Sequence, residues 1–232
     1  EAGLRNGSIW ANCMWLKGVV MKAHYNGLIP RNPFIQFHIS PNVKEREYLT
    51  EDELKAVMTH EFADSKLAYI RDIFIFASFT VLSFVDIQEL TNDNIVEVNG
   101  EKWILSKRHK TKVAFQVKLL DIPLQIVERY RPMQKDNRIF PDLNYWSICK
   151  PLKRMIRECG ITKSISFHCS RHGFATLALS KGMPIESVSR VLGHTNIVTT
   201  QLYAKITTQK LDNDLTMFGD KLSKTFNGIT MS

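Results

Sequence analysis

Apolar positions along the chain recur mostly at helical spacing and in one stretch at the spacing of strands. Trp10, Met14, Leu16, Val20 and Ala23 fall near a 3.6-residue period, which predicts a helix over residues 8–26. Gly27 and Pro30 end it, and Asn32-Pro33-Phe34 makes a turn. Residues 36–47 are polar and read as a linker. Thr50 and Glu53 then form a capping box, each side chain meeting backbone N–H groups at the start of a new helix. A helix over 65–79, rich in Ile, Phe and Ala, is predicted to be buried, with a short one over 83–90 after it. The period changes between 95 and 119: Ile95-Val96-Glu97-Val98, Trp103-Ile104-Leu105 and Val113-Ala114-Phe115-Gln116-Val117 read as three strands around Asn99-Gly100 and a basic turn. Helices follow over 122–131 and 144–158. Near the end, Leu211, Leu215, Phe218 and Leu222 repeat as i, i+4, i+7, i+11, an amphipathic helix. The pattern predicts a mainly α protein with a small antiparallel β-sheet (α+β), divided into residues 1–45 and 46–232.

Composition narrows the picture little. The 232 residues are 44% apolar and 23% charged, as in an ordinary globular protein. A net charge of +8 suits a polyanion partner without requiring one. Cys13, Cys149, Cys159 and Cys169 lack close pairing, so neither a zinc site nor a disulfide framework is expected, and a reducing cytosol is the default. No apolar run reaches the length of about 18 residues that spans a bilayer, and no signal peptide opens the chain. A first residue of Glu rather than Met suggests a piece of a longer protein.

The chemistry concentrates between Phe167 and Tyr203. On a helix, His168 and Arg171 lie three apart and share a face, while Cys169, Phe174 and Leu177 point toward a core. Leu192-Gly193-His194 adds a second imidazole at a glycine turn, and Thr199-Thr200-Gln201-Leu202-Tyr203 ends in a phenol. A phenol can attack phosphorus, a guanidinium can fork onto phosphoryl oxygens, and imidazoles can move or share the proton. This set points to phosphoryl transfer on a nucleic-acid backbone.

His-x-x-Arg-His-x-Phe-Ala, then Leu-Gly-His, then Thr-Thr-x-x-Tyr, in this order and spacing, closely resembles the tyrosine recombinases, or phage-type integrases. The likeness covers roughly 48–206 and leans toward enzymes of mobile, conjugative elements in Bacteroides-like bacteria. The resemblance implies the catalytic-domain fold of that family. It also implies site-specific DNA recombination or integration through a covalent 3′-phosphotyrosine, with no metal or nucleotide cofactor. Tyr203 is then the nucleophile, Arg171 and His194 bind the scissile phosphate, and His168 takes the phenol's proton or hydrogen-bonds the phosphate. His172 reads as a buried structural histidine. From Lys102 to Lys118 the chain carries six Lys/Arg (Lys102, Lys107, Arg108, Lys110, Lys112, Lys118) and no acid, so the hairpin is expected to touch DNA through Lys107, Arg108 and Lys112. A hairpin lysine is the family's general acid; Lys110 aligns best, with Lys112 as competitor. Lys150, Arg154 and Arg157 share a helix stripe that would contact the DNA backbone. Residues 1–45 resemble the end of the family's amino-terminal core-binding domain. Double-stranded DNA, a synaptic tetramer of identical subunits, no membrane and a bacterial cytoplasm follow from the same likeness.

One departure stands out. Where the family carries a second catalytic arginine, this chain reads Thr80-Val81-Leu82-Ser83, with serine in its place. Losing one such donor costs on the order of 10²–10³ in rate. Arg71, in the preceding helix, is the candidate replacement. The alternatives are a catalytically impaired DNA-binding relative or a type IB topoisomerase-like nicking-closing enzyme.

Overall fold

The computed structural model describes residues 6–38, 47–109, 112–134, 136–141, 143–194, 196–204 and 208–225, with backbone alone at 208–210 and 213. The chain divides into two compact units, Glu1–Arg46 and Glu47–Ser232.

The first unit contains helix α1 (Asn6–Tyr25), close to the span its periodicity predicts. Gly27, at φ 71°, closes it in the left-handed conformation, and the Leu28 N–H returns to the Ala23 carbonyl at 2.9 Å. None of the residues of α1 is buried, and Trp15, Tyr25 and Leu28 are widely exposed.

The second unit is built around α3 (Ser65–Thr80). Leu67, Ile70, Ile73, Phe74, Phe76 and Ala77 are all buried, so this helix is apolar nearly all round. Each large side chain removed from water contributes roughly 1.5–3 kcal/mol. Packed on it are α5 (Asp121–Tyr130), α6 (Tyr145–Glu158) and α7 (Cys169–Ser180). Helix α2 (Glu51–Thr59) begins at the capping box, with the Thr50 hydroxyl accepting from the Glu53 N–H and Glu53 accepting from the Thr50 N–H.

After α4 (Phe84–Gln88), the strands β1 (Ile95–Val98), β2 (Glu101–Lys107) and β3 (Ala114–Lys118) form an antiparallel sheet in that order. Asn99 and Gly100, at φ 53° and 76°, supply the two positive-φ positions of a tight hairpin. Ile104 faces Ile95 on one side and Val117 on the other, and this row, with Phe115 of β3, joins the sheet to the core. A second apolar cluster joins Val81, Ala175, Leu179, Val188 and Leu192, with Phe174 and Tyr203 packed at its edge. It locks the end of α3, α7 and α8 (Ile185–Leu192) to the segment after α9 (Val198–Gln201), and the candidate site lies there. Helix α10 (Thr208–Thr225) follows, with Leu211, Leu215, Phe218 and Leu222 exposed. No described helix is long and apolar enough to cross a membrane.

Candidate active site

The site begins where α3 stops. Val81 caps that helix at φ 60°, ψ 16°, left-handed and fully buried. A β-branched residue held there costs roughly 1–2 kcal/mol. The turn presents the Val81 carbonyl to two arginines: Arg108 Nη1 donates at 3.2 Å and Arg171 Nη1 at 3.1 Å. Ser83 then caps α4 in a reciprocal box with Asp86, the Asp86 N–H donating to Ser83 Oγ and the Ser83 N–H to Asp86 Oδ2.

Asp86 does a second job. Its carboxylate accepts Arg108 Nη1 at 3.0 Å and the His109 N–H at 3.0 Å. Burial pushes this carboxyl up, but the His109 N–H, Ser83 and the Arg108 guanidinium outweigh it and hold the pKa below the ordinary value. Arg108 is only 7% exposed. Its Nη2 donates to the Val191 carbonyl at 3.1 Å, and its guanidinium stands over Phe115 at 4.2 Å. Its Nε is buried with no hydrogen-bond partner among the described residues. A Cβ on Gly193 would come to 3.5 Å from that Nε, and Gly193 itself needs φ 66°.

Arg171 leaves α7 half-buried and donates to the carbonyls of Val81 and Leu192. Burial and then the neighbouring Arg108 charge lower its pKa to about 10, partly countered by Tyr203 and Asp86; it remains protonated at neutral pH. His194, just past the Gly193 turn, places Nδ1 2.9 Å from Thr200 Oγ1. Burial, then Arg171 and Arg108, lower its pKa below the usual 6.5, so its imidazole is neutral at pH 7. His168 stands exposed at the start of α7. Its ring meets His172 edge-on at 4.8 Å, and His172 meets the Tyr203 ring at 5.1 Å. Tyr203 sits in the turn after α9, its N–H donating to the Thr200 carbonyl at 3.0 Å.

Arg171, His194 and Tyr203 therefore converge, and His168 joins them through His172. Lys110 lies outside the described residues. Two expectations need correction. Arg71 is not the guanidinium beside Arg171: its Nε pairs with Asp72 at 2.8 Å, its Nη1 donates to the His60 carbonyl, and it lies over Phe62. Arg108, expected on a DNA-facing surface, is instead drawn inward by Asp86 and the carbonyls of Val81 and Val191, and fills the place beside Arg171. Lys107, Lys112 and Lys150 are exposed. Arg154 is exposed too, but it is engaged by Glu158 and Asp64. Asp86 was not singled out from the sequence, although Ser83-x-x-Asp86 carries the spacing of a capping box. The cluster thus sets a buried and a half-buried guanidinium beside a neutral imidazole, with one carboxylate that Arg108 occupies, an arrangement that favours an entering oxyanion. Among the described residues, no group of three or more His, Cys, Asp or Glu is placed to hold a metal ion.

The helix-rich fold with its three-stranded sheet is that of recombinase catalytic domains. It is similar to the Tn1549 transposon integrase solved with circular intermediate DNA (TM-score 0.76, 18% identity, covering 92% of this chain and 80% of that one). It is also similar to the XerH site-specific recombinase bound to difH in a post-cleavage complex (TM-score 0.63, 22% identity, 78% and 56%). The model of the phage integrase family matches residues 47–210, and the chain belongs to that family. Among curated relatives, the tyrosine recombinase XerA of Pyrococcus horikoshii is 32% identical over 177 residues, which cover 70% of this chain and 58% of the relative. The tyrosine recombinase XerC of Lactobacillus leichmannii is 26% identical over 200 residues, covering 80% and 67%. The chain thus spans little more than half the length of the first of these.

Proposed function

We propose that this chain carries the catalytic domain of a site-specific DNA recombinase that cuts and rejoins strands through Tyr203. The Tyr203 oxygen forms a bond to the scissile phosphorus as the bond to the 5′-oxygen breaks, leaving a 3′-phosphotyrosine. The phenolic proton passes to His168 or to solvent, and the departing 5′-oxygen takes its proton from Lys110, the lysine that the family resemblance assigns. In the return step a 5′-hydroxyl displaces the tyrosine. Arg171 and Arg108 hold the non-bridging oxygens, exchanging peptide carbonyls for the charged phosphate, and His194 adds a hydrogen bond.

The observation that carries this reading is the pairing of Arg108 with Arg171 on one carbonyl oxygen, next to His194 and the candidate nucleophile. It answers the objection raised by Ser83: a second guanidinium is present, delivered by the end of β2. The impaired-relative reading loses its main support with it. The partners in this reading are double-stranded DNA and further copies of the chain in a synaptic tetramer, in a bacterial cytoplasm, with exposed Lys107, Lys112 and Lys150 along the DNA backbone. The likeness to a transposon integrase supports a mobile-element enzyme. Residues 1–45 would then be the end of a core-binding domain, its open apolar helix packing against the rest of that domain. The test is formation of an SDS-resistant adduct on a nicked suicide DNA substrate. Wild-type chain forms it and Tyr203→Phe does not; an adduct in Tyr203→Phe, or none in the wild type, overturns the reading. Strand exchange between two sites then separates a recombinase from a nicking-closing enzyme.

A further inference from the structure

The mechanism above gives no task to His172, yet this buried, titratable side chain touches two of the groups that mechanism uses. It is 8% exposed and stands on α7, with the His168 ring at 4.8 Å on one side and the Tyr203 ring at 5.1 Å on the other. We infer that His172 is a positioning residue that sets the Tyr203 ring against the phosphate pocket, an inference resting on the reading of Tyr203 as nucleophile.

Tyr203 packs at the edge of the second apolar cluster, and the His172 contact adds to that support. The tyrosine lies in a turn after the four-residue helix α9, and short turns hold a side chain less firmly than a packed helix does. Helix α7 is firmly seated: Cys169, Ser170, Ala175 and Leu179 are buried along it, and it packs on α3. His172 carries that rigidity to the phenol through a ring contact at 5.1 Å between centroids, within the range at which aromatic rings attract one another. Its neighbour in the chain, Arg171, holds the Val81 and Leu192 carbonyls from the same turn of helix. The clamp and the ring that touches the nucleophile are therefore carried by two consecutive residues of α7. Misplacing a reacting group by about 1 Å can cost on the order of 100-fold in rate.

The experiment compares His172→Leu, which keeps apolar volume but no ring, with His172→Phe, which keeps the ring. Adduct formation is followed in single turnover at saturating nicked DNA. Non-covalent DNA affinity is measured in a Tyr203→Phe background, and the unfolding midpoint separately. The expected result is a cleavage rate lowered about 100-fold in His172→Leu with DNA affinity and midpoint unchanged, and recovered to within about 5-fold of wild type in His172→Phe. A wild-type rate in His172→Leu overturns the inference. So does an equal loss in both variants, which would assign the work to the imidazole nitrogens. If His172→Leu fails to fold, the Phe variant decides: folded but slow, it overturns the inference, and near wild-type rate it supports it. An adduct persisting in Tyr203→Phe alone overturns the nucleophile reading itself. Loss of the adduct there, beside a fast His172→Leu, overturns only the role of His172.

Discussion

The guanidinium groups of Arg108 and Arg171 donate to one and the same oxygen, the carbonyl of Val81. Two like charges are held together by a peptide dipole, and the Asp86 carboxylate beside Arg108 offsets part of their repulsion. In the proposed mechanism the donors that hold the Val81 and Leu192 carbonyls turn to the phosphate. If Arg108 serves as the second phosphate clamp, Arg108→Lys keeps the charge and loses the fork. Adduct formation should then fall on the order of 10²-fold, with non-covalent DNA affinity much less affected. A rate within a few-fold of wild type would remove Arg108 from the reaction.

His194 links binding to protons. Its folded pKa is depressed below 6.5, so its contribution to stability is fully present above pH 6.5 and is lost as pH falls through the lower folded value. In the proposed mechanism an anion between the two arginines opposes their share of that depression, though not the larger share due to burial, and so raises the pKa. DNA binding should therefore be accompanied by proton uptake as pH falls below 6.5. Calorimetry in buffers of differing ionisation enthalpy measures that uptake, and His194→Gln should abolish it.

Val81 inverts an ordinary preference. Glycine in place of alanine usually costs stability, but here φ is 60° and only glycine adopts that without strain. Val81→Ala loses two buried methyls and keeps the strain; Val81→Gly loses one carbon more and releases about 1–2 kcal/mol. Urea unfolding should find Val81→Gly at least as stable as Val81→Ala, and the reverse order would mean that the turn is not strained.

Arg71 belongs to a structural knot. Asp72, 3% exposed, accepts Arg71 Nε, Arg129 Nη1 at 2.7 Å and the Tyr130 hydroxyl at 2.8 Å, tying α3 to α5. Burial and then Asp72 push the Tyr130 phenol well above its ordinary range. Asp72→Ala strands these donors and should cost about 3–5 kcal/mol of folding stability. Arg71→Ala leaves Asp72 two partners and should cost about 1–3 kcal/mol with cleavage unchanged. A cleavage defect in a fully stable Arg71→Ala would return that residue to the active site.

The helices, the hairpin and the motif bearing Arg171, His194 and Tyr203 were legible because each is a local signal: a period, a capping box, an Asn-Gly turn. The fate of Arg108 was not. It lies in a basic run that reads as solvated surface, while the groups that pull it inward stand 22, 27 and 83 residues away. No window along the chain contains both ends of such a contact. Arg71 misled for the same reason in reverse: its partner is the adjacent Asp72, and nearness in sequence to Ser83 says nothing about which way a guanidinium turns.

The Val81–Arg171 hydrogen bond spans 90 residues of chain, and in the proposed mechanism the phenol comes later still. A ribosome thus makes the attacking oxygen after every described part of its cradle, and no shorter nascent piece holds both. If the mechanism holds, a half-made polypeptide would lack the one group able to attack DNA, because the phenol is added after the arginines and histidines proposed to surround it.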